Sequence, residues 1–385
     1  MHISVRERDR ILAKTTGSEG RPHEPVRRRL LGSKVGACIV TLACLTACDD
    51  RSPDTDSKAV PDPPASIFSD EMHLRDGPGP ILAVPRWAGM TSSGTLLVGD
   101  RSDRDIKLYS ASTGERLGTL GRSGEGPGEF RVLASGFAVG ETVFGFDMSS
   151  ATLHGFFPDG KRKVFRFFLE PGAPRPMQVW ELDGSHLLVV GSPIGTNGSG
   201  LVRILDWDGE EKAVFMDMSD FFEGTPALFQ FTQVVADGHD GCVFAGLSRD
   251  NRISAFSING YLIGQREIDI GEPWVPLPVR LEENGGEART ADGGWVHDGD
   301  PYLAKIVALP GCRALVQVGR YDAAGTDRLE GGHFLLFEVT ADRELVQVAH
   351  VAKTGALMGR DAQNRPLHLA YGQSTEEYVM TIGLF

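Results

Sequence analysis

Any chemistry in this chain of 385 residues has to come from a few short polar runs. In the stretch WVHDGD, Trp295, His297, Asp298 and Asp300 crowd together. An imidazole flanked by carboxylates can act as a general base, or hold a metal through mixed nitrogen and oxygen ligands. The same residues also suit a solvated loop, because Asp-Gly turns form easily in water. A second run, Asp100, Arg101, Asp103 and Asp105, follows an apolar strand, and Asp147 falls in the matching place one repeat later. Carboxylates converging on a channel could bind Ca²⁺. Such an aspartate can equally cap its own turn. His239, with Asp237 and Asp240, reads as a turn preceding a strand.

The familiar signatures of catalysis are missing. The chain has no GxSxG elbow, no HExxH, no Walker loop and no acidic run with EF-hand spacing. No cofactor is called for by motif, and calcium is the one ion the acidic runs would admit. The weak catalytic candidates are therefore His297, Asp298 and Asp300. The metal candidates are Asp100, Asp103 and Asp147.

The elements that must position these residues are short strands. Between Leu96 and Phe130 an apolar strand ends at Asp100, a second covers Ile106–Tyr109, and a third covers Arg116–Leu120. Gly, Asp and Ser bound each of them, which is an all-β pattern. The unit repeats. Six turns each feed an apolar strand, at Ser93-Gly94, Val139-Gly140, Asp183-Gly184, Asp240-Gly241, Pro310-Gly311 and Asp361–Asn364. Five hairpin turns follow a third strand, at Thr113-Gly114, Asp159-Gly160, Asp208-Gly209, Asn259-Gly260 and Ala341-Asp342. Asp-Gly and Asn-Gly supply the positive φ such hairpins need.

This periodicity predicts an all-β, six-bladed β-propeller with blades near 80–120, 133–170, 176–218, 228–270, 301–350 and 353–385. The last repeat lacks its outer strand. An N-terminal strand, Ile67–Arg75, is expected to close that last blade and remove its open edge. Between Ile270 and Pro301 the repeat is interrupted by about 30 residues too polar and Gly-rich to form a blade. Long loops often carry function. Trp274 and Trp295 in this insertion near 271–300, with His297, are candidate binding-loop residues for a protein or glycan. The remaining aromatics, Trp180 among them, read as packing between blades.

The stretch Gly121–Phe130 (GRSGEGPGEF) resembles one found in bacterial six-bladed propeller lipoproteins, loosely related to NHL-repeat propellers. There it joins one blade's outermost strand to the next blade's innermost strand. The likeness covers nearly the whole mature chain through its repeats, while the sharp motif occurs once. Gly124, Gly126 and Gly128 would let the backbone turn tightly, with Phe130 anchoring the next blade. In propellers an active site can be assembled from one residue per blade, so missing motifs do not exclude an enzyme.

The N-terminus supplies an address. Arg27, Arg28, Arg29 and Lys34 precede the apolar run Val35–Leu45, which is too short to span a bilayer. The run ends in Leu45-Thr46-Ala47-Cys48, which resembles a lipobox, and this implies lipidation of Cys48 and a membrane partner through it. Residues 1–47 are thus read as an extension and signal, with Val26 a candidate true start. Residues 48–66 form a Pro-rich disordered tether, and 67–385 the propeller. The first 47 residues hold nine of the 39 basic and four of the 52 acidic residues, leaving 30 against 48. So acidic a domain excludes nucleic acid as a partner. Cys242 and Cys312 begin matching strands in successive repeats, and equivalent positions round a ring point the same way, so both are expected to be free, buried thiols. Anchor, tether, insertion and missing motifs together point to a non-catalytic binding scaffold in the cell envelope, facing the periplasm or exterior. The alternative is a propeller hydrolase or lyase with a metal or His/Asp site in the central funnel.

Overall fold

The computed structural model describes residues 68–75, 82–167, 173–192, 200–217, 233–272, 274, 280–281, 288–289, 301–320, 332–372 and 377–383. All of them belong to the compact unit 59–385. Cys48, the signal and the tether lie outside the described residues, as do Trp295, His297, Asp298 and Asp300.

Every regular element among the described residues is a strand. The first blade runs from the axis outward as Pro85–Met90, Thr95–Asp100, Asp105–Ser110 and Arg116–Leu120. The second is Leu133–Val139, Thr142–Asp147, Thr152–Phe156 and Arg162–Arg166, and the third is Pro176–Glu181, His186–Gly191, Val202–Asp206 and Glu211–Phe215. The fourth is Val234–His239, Cys242–Leu247, Arg252–Ser257 and Leu262–Glu267. Longer strands build the fifth, at Pro301–Leu309, Arg313–Arg320, Gly332–Val339 and Leu345–Lys353. The sixth takes Ala356–Arg360, Pro366–Gly372 and Glu377–Gly383 from the C-terminus and Phe68–Leu74 from the N-terminus. All pairing inside a blade is antiparallel, and the expected closure is present, with Asp70 opposite Ile382 and Leu74 opposite Tyr378. A short parallel pairing of Ala88 with Gly359 and Gly89 with Arg360 joins the innermost strands of the first and last blades. Within the insertion, a two-residue ladder pairs Arg280–Leu281 with Ala288–Arg289.

The turn residues explain why the chain reverses where it does. Gly94, Gly140, Gly184, Gly241, Gly311 and Asn364 all have positive φ, so each turn before a second strand uses a left-handed residue. Second strands, such as Cys242–Leu247, are buried throughout because neighbouring blades cover both their faces. Outer strands such as Arg116–Leu120 stay largely wet. Trp87 is fully buried between the first two blades. A Cβ at Gly99 or Gly136 would come within 2.1 or 2.3 Å of its ring, so only glycine lets the blades close on it. The Gly121–Phe130 crossing anchors as expected. Phe130 is fully buried, its ring 5.2 Å from that of His154 and 6.2 Å from that of Phe156. Glu129 holds the loop from inside, its Oε2 accepting the backbone N–H groups of Glu125 (3.0 Å) and Gly126 (2.9 Å).

Two expectations need correction. Cys242 and Cys312 form a disulfide, with Cα atoms 5.5 Å apart, instead of remaining free thiols. Cys242 does begin its strand, but Cys312 sits in the preceding turn at φ +57°, and the second strand of the fourth blade lies against the first strand of the fifth. The two positions are therefore not related by the ring's rotation. Trp274 is not on a binding surface. It is 8% exposed and belongs to the core between the fourth and fifth blades, beside Phe244, Ile270 and Leu303.

Candidate functional site: the axial pocket

Small residues at the inner strand ends (Ala88, Gly89, Gly136, Ala138 and Gly359) leave room at the propeller axis. The resulting pocket has a volume of about 390 Å³ and opens among the turns between first and second strands. That size suits a small organic molecule. Charged groups from four blades meet there: Glu181 and Asp183 from the third, Asp237, His239 and Asp240 from the fourth, Lys305 from the fifth, and Arg360 and Asp361 from the sixth.

Arg360 holds this wall together. Its guanidinium donates to the carbonyls of Gly238 (2.9 Å), Ala308 (3.3 Å) and Glu181 (2.8 Å), one on each of three other blades. It also lies 3.7 Å from Asp237 Oδ2 and 4.0 Å from Glu181 Oε2. Asp237 is itself fixed, accepting the backbone N–H of Gly238 and of Ala308, each at 2.9 Å. These charge-assisted bonds leave Arg360 and Asp237 little freedom for a ligand.

Glu181 and His239 also have partners: Glu181 accepts the Gly184 N–H, and His239 Nε2 lies 3.3 Å from Asp240 Oδ1. Burial raises the Glu181 carboxyl above the ordinary range, although Gly184 N–H and Arg360 pull the other way. Burial lowers the His239 imidazole, assisted by the Arg360 charge and opposed by Asp240 and Asp237. The pocket lining thus holds a carboxyl that tends to keep its proton and an imidazole that tends to lose one. Lys305 is pushed down to about 8, chiefly by burial, with Asp237 opposing and Arg360 assisting. Its Nζ stands 4.2 Å from the centre of the Trp180 ring. Trp180 is buried, and its indole Nε1 has no hydrogen-bond partner among the described residues.

The acidic metal candidates lie elsewhere and are already occupied. Asp100 pairs with Pro85, at the end of the inner strand away from the pocket. Its carboxylate accepts the N–H groups of Ala83 (2.6 Å), Ser102 (2.9 Å) and Asp103 (3.2 Å) and binds Lys107 Nζ at 3.2 Å. Asp103 and Asp105 turn to the same ammonium. Asp147 accepts Val132 N–H (3.1 Å), Ser149 N–H (2.9 Å) and the Ser150 hydroxyl (3.0 Å). Burial raises both Asp100 and Asp147, but these bonds outweigh it and hold both below the ordinary range. They cap turns, and a lysine ammonium stands where a metal would. Among the described residues no cluster of His, Cys, Asp and Glu could hold a metal ion.

The sequence reading therefore singled out His239 only as a turn, took Trp180 for packing, and passed over Glu181, Lys305 and Arg360. A signal for them existed. Each is a charged residue on an innermost strand, inside WEL, AKIV and MGRD, a strand expected to line the axis.

No family model matches the chain, and no curated protein matches it. Among solved structures, a member of the DUF4221 family from Bacteroides vulgatus is similar over 82% of this chain and 96% of its own, with TM-score 0.52 and 9% identity. A candidate exported protein from Bacteroides fragilis covers 83% and 96%, with TM-score 0.49 and 12% identity. Virginiamycin B lyase from Staphylococcus aureus covers 82% and 99%, with TM-score 0.39 and 9% identity. At such identities the likeness is one of fold, and the class of the chain is the β-propeller.

Proposed function

We propose that the chain is a lipid-anchored binding protein of the bacterial cell envelope, whose propeller presents its axial pocket to a small polar ligand. The observation that carries this reading is the pocket itself. About 390 Å³ at the axis is lined by an aromatic face, a lysine, an acid and an imidazole drawn from different blades. A disulfide between Cys242 and Cys312 suits an oxidising compartment, in keeping with export and with a lipid on Cys48. The loop bearing Trp295 and His297 would serve a larger envelope partner, a protein or a glycan. Two measurements test the reading. Cys48→Ala should move the protein from the membrane to the soluble fraction. A thermal-shift panel of amino acids, short peptides, sugars and small carbonyl compounds should reveal a compound that raises the melting temperature and is recovered unchanged. Steady conversion of that compound to product would overturn the binding reading in favour of a hydrolase or lyase, for which Glu181 and His239 are the candidate acid and base.

A further inference from the structure

Among the described residues, Lys305 Nζ has no hydrogen-bond acceptor and no ion-pair partner, although carboxylates line the same pocket. The nearest candidates are spent elsewhere. Asp237 is held by two backbone N–H groups and by Arg360, and Asp183 binds His186 at 2.9 Å. What fixes the lysine is the Trp180 face, 4.2 Å away, and the bulge between Leu303 and Lys305 on the innermost strand, which re-aims the side chains that follow it. In the first three blades the residue after the matching bulge is Trp87, Ser135 or Gln178, none of them an amine. Desolvation without a counter-ion, beside an open cavity, is the setting in which a lysine amine can act as a nucleophile, although the aromatic face favours its charged form.

We propose that Lys305 captures a small aldehyde or ketone in the axial pocket as an imine, with the carbonyl compound's body lying against Trp180. This rests on the axial pocket being a binding site and adds the ligand's class. The lone pair of the neutral amine adds to the carbonyl carbon, and the C=O electron pair moves to oxygen, which takes up the proton that nitrogen releases. The resulting carbinolamine then loses water to give C=N, so amine and carbonyl yield imine and water with no oxidant or reductant. The lowering of Lys305 to about 8 supplies neutral amine near neutral pH. The charged groups sharing its wall are Arg360, which favours the neutral form, and Glu181, Asp183, Asp237, His239, Asp240 and Asp361, the last paired with Arg365.

The test is reductive trapping on the full-length protein with 4-hydroxybenzaldehyde and sodium cyanoborohydride at pH 7, read by intact mass and peptide mapping. The expected result is a single adduct on Lys305, formed at least on the order of tenfold faster than any other adduct, because burial enlarges its neutral fraction. The rate should rise with pH and level off above about 8. Lys305→Arg should lose the adduct. Labelling spread over surface lysines, or Lys305 spared, overturns the proposal. If in that case the thermal-shift ligands still bind the pocket, the imine fails while the binding reading stands; if none binds, both fail.

Discussion

Two lysines, both drawn out of bulk water, differ in how far the propeller pairs their charge. Lys107, in the first blade, is fully buried and surrounded by Asp100, Asp103 and Asp105. Burial lowers its pKa, but the bond to Asp103 and the charges of Asp100 and Asp105 more than reverse this, and the net shift is upward. Lys305, at the axis, has a tryptophan ring and a cavity for neighbours, and its pKa falls to about 8. Both cations bear the desolvation cost of burial; Lys107 recovers it in full within the protein, Lys305 only in part through Trp180 and Asp237. A fold under selection for stability alone would pair or remove Lys305, which is why the proposed function is placed in the axial pocket.

The sharpest way to break this comparison is to remove each lysine. Lys107→Met should lower stability in urea denaturation by about 3–5 kcal/mol, because it leaves Asp100 buried and three carboxylates facing one another. Asp147→Ala should cost about 1–3 kcal/mol, by stranding the backbone N–H groups that the carboxylate caps. Lys305→Met should act in the opposite direction and stabilise the protein by about 1–2 kcal/mol at pH 7, a partial recovery of the penalty implied by its lowered pKa. A loss of stability on that substitution would mean that Lys305 is a structural residue like Lys107.

The pH dependence sharpens the contrast. The folded-state pKa of Lys305 lies below the ordinary 10.5, so its penalty is fully present below about pH 8. Between about 8 and 10.5 the unfolded chain binds the extra proton, and wild-type stability rises relative to Lys305→Met. For Lys107 the folded value is raised, so its contribution is complete below 10.5 and is lost only as the pH climbs through the higher folded value. In thermal melts from pH 7 to 10 the difference between wild type and Lys305→Met should change with pH, whereas that between wild type and Lys107→Met should stay flat. The smallest effect concerns calcium. Since Asp100, Asp103 and Asp147 are occupied by protein donors, adding Ca²⁺ or EDTA should change stability by less than about 0.5 kcal/mol, within the scatter of a surface substitution. A clear stabilisation by Ca²⁺ would restore the acidic strand ends as a metal site.

The strands and turns were legible because their causes are local. Asp-Gly, Asn-Gly and Ser-Gly pairs fix the left-handed turn positions, and apolar runs such as TLLVGD and CVFAGL mark strands covered on both faces. Even the closure was legible, since a repeat lacking one strand has to find it at the other terminus. The site was only half legible. His239, Asp237 and Asp240 were noticed and read as a turn, which they are, but the neighbours that make them a pocket wall come from other blades. Trp274 was misread because a tryptophan in a polar insertion gives no sign of which core it reaches.

By itself, then, the sequence determined an all-β propeller of six blades, closed by its own N-terminal strand, because turn chemistry and a repeating apolar pattern act within a few residues. Which charges pair and which stay alone was decided by the ring. Asp100 meets Lys107 within a single hairpin, but closing the ring laid Arg360 across the carbonyls of three other blades and brought Cys242 beside Cys312. It also left Lys305 facing a cavity, since electrostatic partnership depends on distances across the axis that no local pattern encodes.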